Sequence, residues 1–151
     1  MATTISKFSS ANQYIFDGSA PTNGVATLKV ALVTSGYTFN AANSIWASAS
    51  GSELAAGNGY TTGGVAIATP VSSLVSGVGT LTGGNVSWTF TASKTFRAAI
   101  LYSNTSINSV VNPMLAYILF DNTPADITVP STTFAIYWSA SGILTIGPIG
   151  P

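Results

Sequence analysis

From Tyr60 onward, apolar residues recur at every second position in short runs, each cut off by Gly, Pro or Asn. A period of two places alternate side chains on opposite faces of an extended chain, whereas a helix needs a period near 3.6. Residues 85–91, NVSWTFT, show it most clearly, with Val86, Trp88 and Phe90 on one face and Ser87, Thr89 and Thr91 on the other. Residues 95–103 repeat the pattern, with Phe96, Ala98, Ile100 and Tyr102 facing one way, and residues 132–139 group Phe134, Ile136 and Trp138. The run 114–120 is apolar at every position, as expected of a central strand covered on both faces. Before Tyr60, residues 25–34 also read as a strand, with Leu28, Val30 and Leu32 set against Thr27, Lys29 and Ala31.

About nine short strands without a long helix predict an all-β fold, an antiparallel β-sandwich of jelly-roll-like form. At most one short helix is expected, over residues 41–49 before the Gly-rich loop, with Asn40 or Asn43 as its cap. Residues 13–16 read as a short strand closed by a turn at Asp17-Gly18, residues 19–24 as a loop around Pro21, and residues 71–81 as a hairpin or irregular edge. The chain thus divides into an N-terminal arm (1–12, with Ile5 and Phe8 as its large residues), a single domain (13–146) and a C-terminal tail (147–151). The arm is expected to be mobile or to dock on a neighbour. Aromatic side chains dominate core burial, so Trp46, Trp88, Phe90, Phe96, Phe134 and Trp138 are the expected core anchors.

The segment ELAAGNGYTTGG, residues 53–64, separates the two kinds of sequence. Gly57, Asn58 and Gly59 have the chemistry of a tight turn because Gly and Asn accept positive φ at little cost. Gly63 and Gly64 let the backbone bend again before the β-branched run at Val65. Glu53, Gly57, Asn58, Gly59, Tyr60, Gly63 and Gly64 together read as an ordered structural loop. It is not a phosphate cradle: no Lys follows it, and it opens onto a strand where a nucleotide loop opens onto a helix.

Composition narrows the function. Charged residues are 5% of the 151 positions and net charge is zero, while 46% are apolar. Neutrality favours association, so a surface partly covered in an assembly is expected. The few charges are scattered and form no basic stripe for a phosphate backbone; no nucleic-acid partner is predicted. The chain has no His and no Cys, which excludes Ser-His-Asp and Cys-His nucleophiles, thiolate metal sites and disulfides. Asp121 and Asp126 bracket a turn at Pro124. They are read as turn chemistry, the alternatives being a carboxylate pair or a hard-cation site. No cofactor is expected. The N-terminus, MATTISKF, lacks the apolar core of a signal peptide, and the longest apolar run is too short to span a bilayer, so no membrane association is predicted.

The order of motifs resembles a family of small structural proteins of tailed bacteriophages. The resemblance rests on a strand over residues 28–34 followed by Tyr37-Thr38, then Ile45-Trp46 with Ser48. It continues with Glu53-Leu54 leading into a GxGYTTGG loop at residues 57–64, and a WTFTAS strand at residues 88–93. Arg-Ala-Ala-Ile-Leu-Tyr at residues 97–102 and a Phe134-x-Ile136-x-Trp138 ending before Gly142 to Thr145 complete it. It covers roughly residues 25–146. Relatives often carry a His and an Asp near the Trp loop, where this chain has Asn43 and Ala47. The resemblance implies a non-enzymatic virion component. The first expectation is a capsid decoration or cement protein at the capsid surface, made in the cytoplasm of a bacterial host. Its partners would be the major capsid protein and itself, as a homotrimer. The alternatives are a tail or neck component, a receptor-binding or fibre-associated module, whose signature would be exposed loop aromatics such as Tyr37 and Trp46, or a carbohydrate-binding β-sandwich, whose signature would be stacked Trp and Tyr side chains with polar neighbours.

Overall fold

The computed structural model describes residues 3–16 and 28–147. The expected turn at Asp17-Gly18, the loop 19–24, the start of the strand expected from Val25, and the tail beyond Gly147 lie outside them. The fold is all-β and sandwich-like, every strand pairing is antiparallel, and one short α-helix precedes the Gly-rich loop.

The main sheet runs in the order β1 (Thr4–Lys7), β9 (Met114–Leu119), β8 (Ala98–Ser103), β2 (Leu28–Val33), β3 (Val65–Ala66). Three small sheets complete the β structure. They pair β10 (Ile127–Val129) with β7 (Lys94–Phe96), β11 (Thr133–Ile136) with β6 (Val86–Thr89), and β12 (Leu144–Ile146) with the hairpin of β4 (Val71–Val75) and β5 (Val78–Thr82). The hairpin is the one the sequence allowed at residues 71–81.

The main sheet has apolar residues on both faces. Leu28, Val30 and Leu32, with Ala99, Leu101, Leu115 and Ile118, join the larger core, to which the small sheets contribute Leu81, Val86, Trp88, Phe96 and Ile136. The alternate residues Ala31, Val33, Ala98, Ile100, Tyr102, Met114 and Tyr117 form a second cluster with Phe8, Tyr37 and Trp46. The double burial expected of the run at residues 114–120 therefore holds, and it extends to β8 and to the central part of β2.

Several local expectations are corrected. Residues 13–16 are not a strand but the second half of α1 (Ser9–Phe16), which buries Ala11 and Tyr14 one turn apart. Residues 4–7 of the expected arm are a strand of the protein's own main sheet. Residues 41–49 form no α-helix; two short 3₁₀ turns, Trp46–Ser48 and Ser50–Ser52, take their place. Phe96 does not share a face with Ala98, Ile100 and Tyr102. The strand expected over residues 95–103 breaks at Arg97, where the chain leaves the β7–β10 pair for the main sheet, so Phe96 enters the larger core and the other three enter the second cluster.

The anchors Trp88, Phe90 and Phe96 are buried, and Phe96 packs edge-on against Phe120 and Phe134 with ring centroids 5.7 and 5.1 Å apart. Phe134 and Trp138 are half-buried against the same core, and the Trp138 indole donates to the Gly84 carbonyl at 2.9 Å. Trp88 is 2% exposed and its indole N–H has no partner among the described residues. Trp88→Ala is expected to cost about 3–5 kcal/mol in urea unfolding. Trp88→Phe should cost clearly less, because no hydrogen bond is lost; equal losses would contradict this account of the packing.

Candidate functional site

The Gly-rich loop is tied to the main sheet through side-chain oxygens. Residues 52–54 run beside the end of β2, with Thr34 N–H donating to the Ser52 carbonyl and Leu54 N–H to the Leu32 carbonyl. This places Glu53 opposite Val33. Because β3 pairs only with Lys29 and Val30, the Leu32 N–H on that edge has no strand partner, and the buried Tyr60 hydroxyl accepts it at 3.0 Å. The same hydroxyl donates to Glu53 Oε1 at 2.8 Å. Glu53 Oε1 also accepts the Gly63 N–H at 2.5 Å, and the Tyr102 hydroxyl donates to the Gly63 carbonyl at 2.9 Å. Trp46 closes the series by stacking on Tyr102, centroids 4.7 Å apart and planes within 9°.

The glycines are required by different constraints. Gly57 N–H and Tyr60 N–H bond reciprocally to each other's carbonyls, enclosing a two-residue turn in which Asn58 and Gly59 have φ of 54° and 90°. That is the signature of a type I′ hairpin. A Cβ on Gly59 would collide with the Thr89 carbonyl, and one on Gly64 with the Val30 carbonyl. Gly63 has φ of 85° but more room, its nearest neighbours being the Tyr102 hydroxyl and Lys29 Nζ. All seven loop residues singled out in the sequence thus fall in one connected unit. What sequence reading missed is its other half, Leu32 and Tyr102, which alternation alone marks only as strand residues.

The electrostatics follow from burial. Burial first, and then the Glu53 charge, push the Tyr102 hydroxyl up to about 12. Burial and the hydrogen bond to Glu53 push Tyr60 up as well. At Pro124 the two aspartates do not converge on a common site. Asp126 pairs with Arg97 at 2.8 Å, while Asp121 accepts from the backbone N–H and hydroxyl of Thr123 at 3.0 and 2.7 Å, which lowers its pKa. Asp121 shows the turn chemistry expected of it, whereas Asp126 instead makes a long-range ion pair. Among the described residues no group of three metal-ligating side chains occurs, and no helix is long and apolar enough to cross a membrane.

Tyr37 and Trp46 are only 6% and 8% exposed, so neither is a surface platform. A surface feature is an apolar groove of about 340 Å³ between the end of β9 and β11, lined among others by Thr3, Ile118, Phe120, Ile127, Ile136 and Tyr137. Tyr137 on its rim is 77% exposed. Comparison of the chain with family models, with characterised proteins and with solved structures finds no match.

Two outcomes follow. Gly63→Ala is expected to cost about 1–2 kcal/mol for its left-handed backbone, and Gly64→Ala considerably more because a carbonyl lies where the methyl would go; both are read from urea midpoints. Tyrosine is charged when deprotonated, and the unfolded chain releases that proton near pH 10, whereas folded Tyr102 holds it to about 12. Stability should therefore stay level with respect to tyrosine ionisation up to about pH 10 and fall as the pH rises through 12. Melting temperatures across that range check this, and Tyr102→Phe should flatten the fall.

Proposed function

We propose that this chain is a non-enzymatic structural protein of a tailed-phage virion, a capsid decoration or cement protein that clamps neighbouring capsid subunits through non-covalent contacts. The observation that carries the reading is how the GxGYTTGG motif is used. Glu53, Tyr60, Gly63 and Tyr102 direct their polar groups onto one another and onto the protein's own backbone. The motif on which the resemblance rests thus works as a structural brace.

A nearly chargeless surface supports the same reading. With 5% charged residues and no net charge, the protein has little electrostatic repulsion to overcome when copies crowd together on a shell. Its partners in this role are the major capsid protein and other copies of itself, and a homotrimer matches the three-fold positions of an icosahedral lattice. Each copy adds contact area, and many together resist the pressure of packaged DNA. The receptor-binding or fibre-associated reading loses its expected signature, because Tyr37 and Trp46 are buried, and the one Trp–Tyr stack among the described residues, Trp46 on Tyr102, is buried too. A tail, neck or fibre location is the competing place within a virion.

The test is to add purified protein to capsids made without it. Saturable binding, together with a higher temperature for DNA release, is the expected result. Failure to sediment with capsids, with recovery of the protein in a purified tail fraction, would move it to the competing location.

A further inference from the structure

Among the described residues no strand pairs with the outer edge of β1. Phe8 N–H donates to the Leu115 carbonyl across from it, which makes that residue pair a hydrogen-bonded one in the β1–β9 ladder. Antiparallel pairs alternate between bonded and non-bonded, so Ser6 opposite Tyr117 and Thr4 opposite Leu119 are bonded as well. Ile5 and Lys7 therefore turn their backbone N–H and C=O away from β9, and no described residue takes up these groups.

Natural edges are ordinarily protected by charge, proline or a bulge. This edge reads Thr4-Ile5-Ser6-Lys7, and its one charge is drawn aside, with Lys7 Nζ donating to the Thr145 carbonyl at 3.2 Å. Ile5 lies opposite Ile118, a lining residue of the apolar groove, and is 46% exposed. Tyr137 stands on the same groove's rim. No charged residue among those described lines the groove, so a partner strand that sets an apolar side chain beside it meets no buried charge.

We propose that β1 pairs with β1 of a second copy of this chain, antiparallel about a two-fold axis, joining two main sheets into one of ten strands. The edge is self-complementary in one register. With Ile5 opposite Ile5 of the second copy, the outward donors and acceptors of both strands meet, and the two isoleucines touch at the mouths of the two grooves. Lys7 then faces Thr3, so no like charges are opposed. A ladder this short falls below the roughly 800 Å² per partner of a standard interface, and the exposed apolar Ile5 and Tyr137 are the surface available to extend it. The contact is two-fold, separate from any three-fold contact on a shell, and it does not rest on the reading of the chain as a capsid protein.

Light scattering and amide hydrogen exchange on the full chain test it. The expected mass is twice the 15.3 kDa of one chain, or six times it if a three-fold contact is also present. Ile5→Lys, which sets two ammonium groups against each other, should halve that mass at unchanged fold. Ile5→Val should keep it, and so should Val111→Lys at a second exposed apolar position. In the wild type the amides of Ile5 and Lys7 should exchange as slowly as that of Ser6, and at least tenfold faster in Ile5→Lys. A monomer at every concentration, leaving the groove to an unrelated peptide or to none, overturns the proposal. So does a trimer, or any assembly whose mass Ile5→Lys leaves unchanged.

Discussion

Strands β8 and β9 have no solvent face, and the rest of the chain is arranged to cover them twice. All six residues of β8 and the first five of β9 are buried. Apolar area removed from water contributes roughly 25 cal/mol per Å², but only if both sides are covered. The small sheets supply one cover, through Val86, Trp88, Phe96 and Ile136. Among the described residues no second full sheet covers the other side. There Phe8, Tyr37, Trp46 and Tyr117 pack down from the N-terminal segment, from the loop after β2 and from β9 itself. Phe39 adds rings 5.2 Å from both Phe8 and Tyr117.

The Gly-rich loop belongs to this second task as much as to its own turn. A main sheet that ends in a two-residue β3 leaves backbone donors of β2 unpaired, and a buried unpaired N–H costs about as much as a lost hydrogen bond. Tyr60 reaches across to satisfy Leu32, and Glu53 holds both Tyr60 and Gly63 in place. The Tyr102 hydroxyl, on the far side of the strand from the larger core, binds the same loop while its ring carries Trp46. One glutamate therefore links a sheet edge, a hairpin turn and an aromatic stack. A chain with so few charges has placed one of them where it organises backbone, and has left its outer surface almost neutral.

This division of roles informs the functional reading. Polar groups concentrated on internal bracing, together with an uncharged apolar groove beside an open strand edge, suit a molecule that works by contact. The groove lies on the larger-core side of the main sheet, where Ile118 and Phe120 sit beside Ile127, Phe134 and Ile136 of the small sheets.

The sequence by itself determined the all-β class, the antiparallel order of short strands, the hairpin turn at Asn58-Gly59 and the inward placement of Trp88, Phe90 and Phe96. Each follows from local physics: a period of two selects extended chain, and positive φ selects Gly or Asn. The helix at Ser9–Phe16 was not legible: its buried pair Ala11 and Tyr14, three residues apart, gives too weak a periodic signal in eight residues beside a strand-like neighbour. Other features were decided only by tertiary structure. Alternation across Arg97 continues unbroken in the sequence, yet the chain changes sheets there and Phe96 passes to the opposite core. That Glu53, Leu32, Tyr60 and Tyr102 form one unit depends on distances between segments up to 70 residues apart (Leu32 to Tyr102), which no local pattern encodes. The same holds for the edge of β1, because whether a strand is interior or outermost is a property of its neighbours in space.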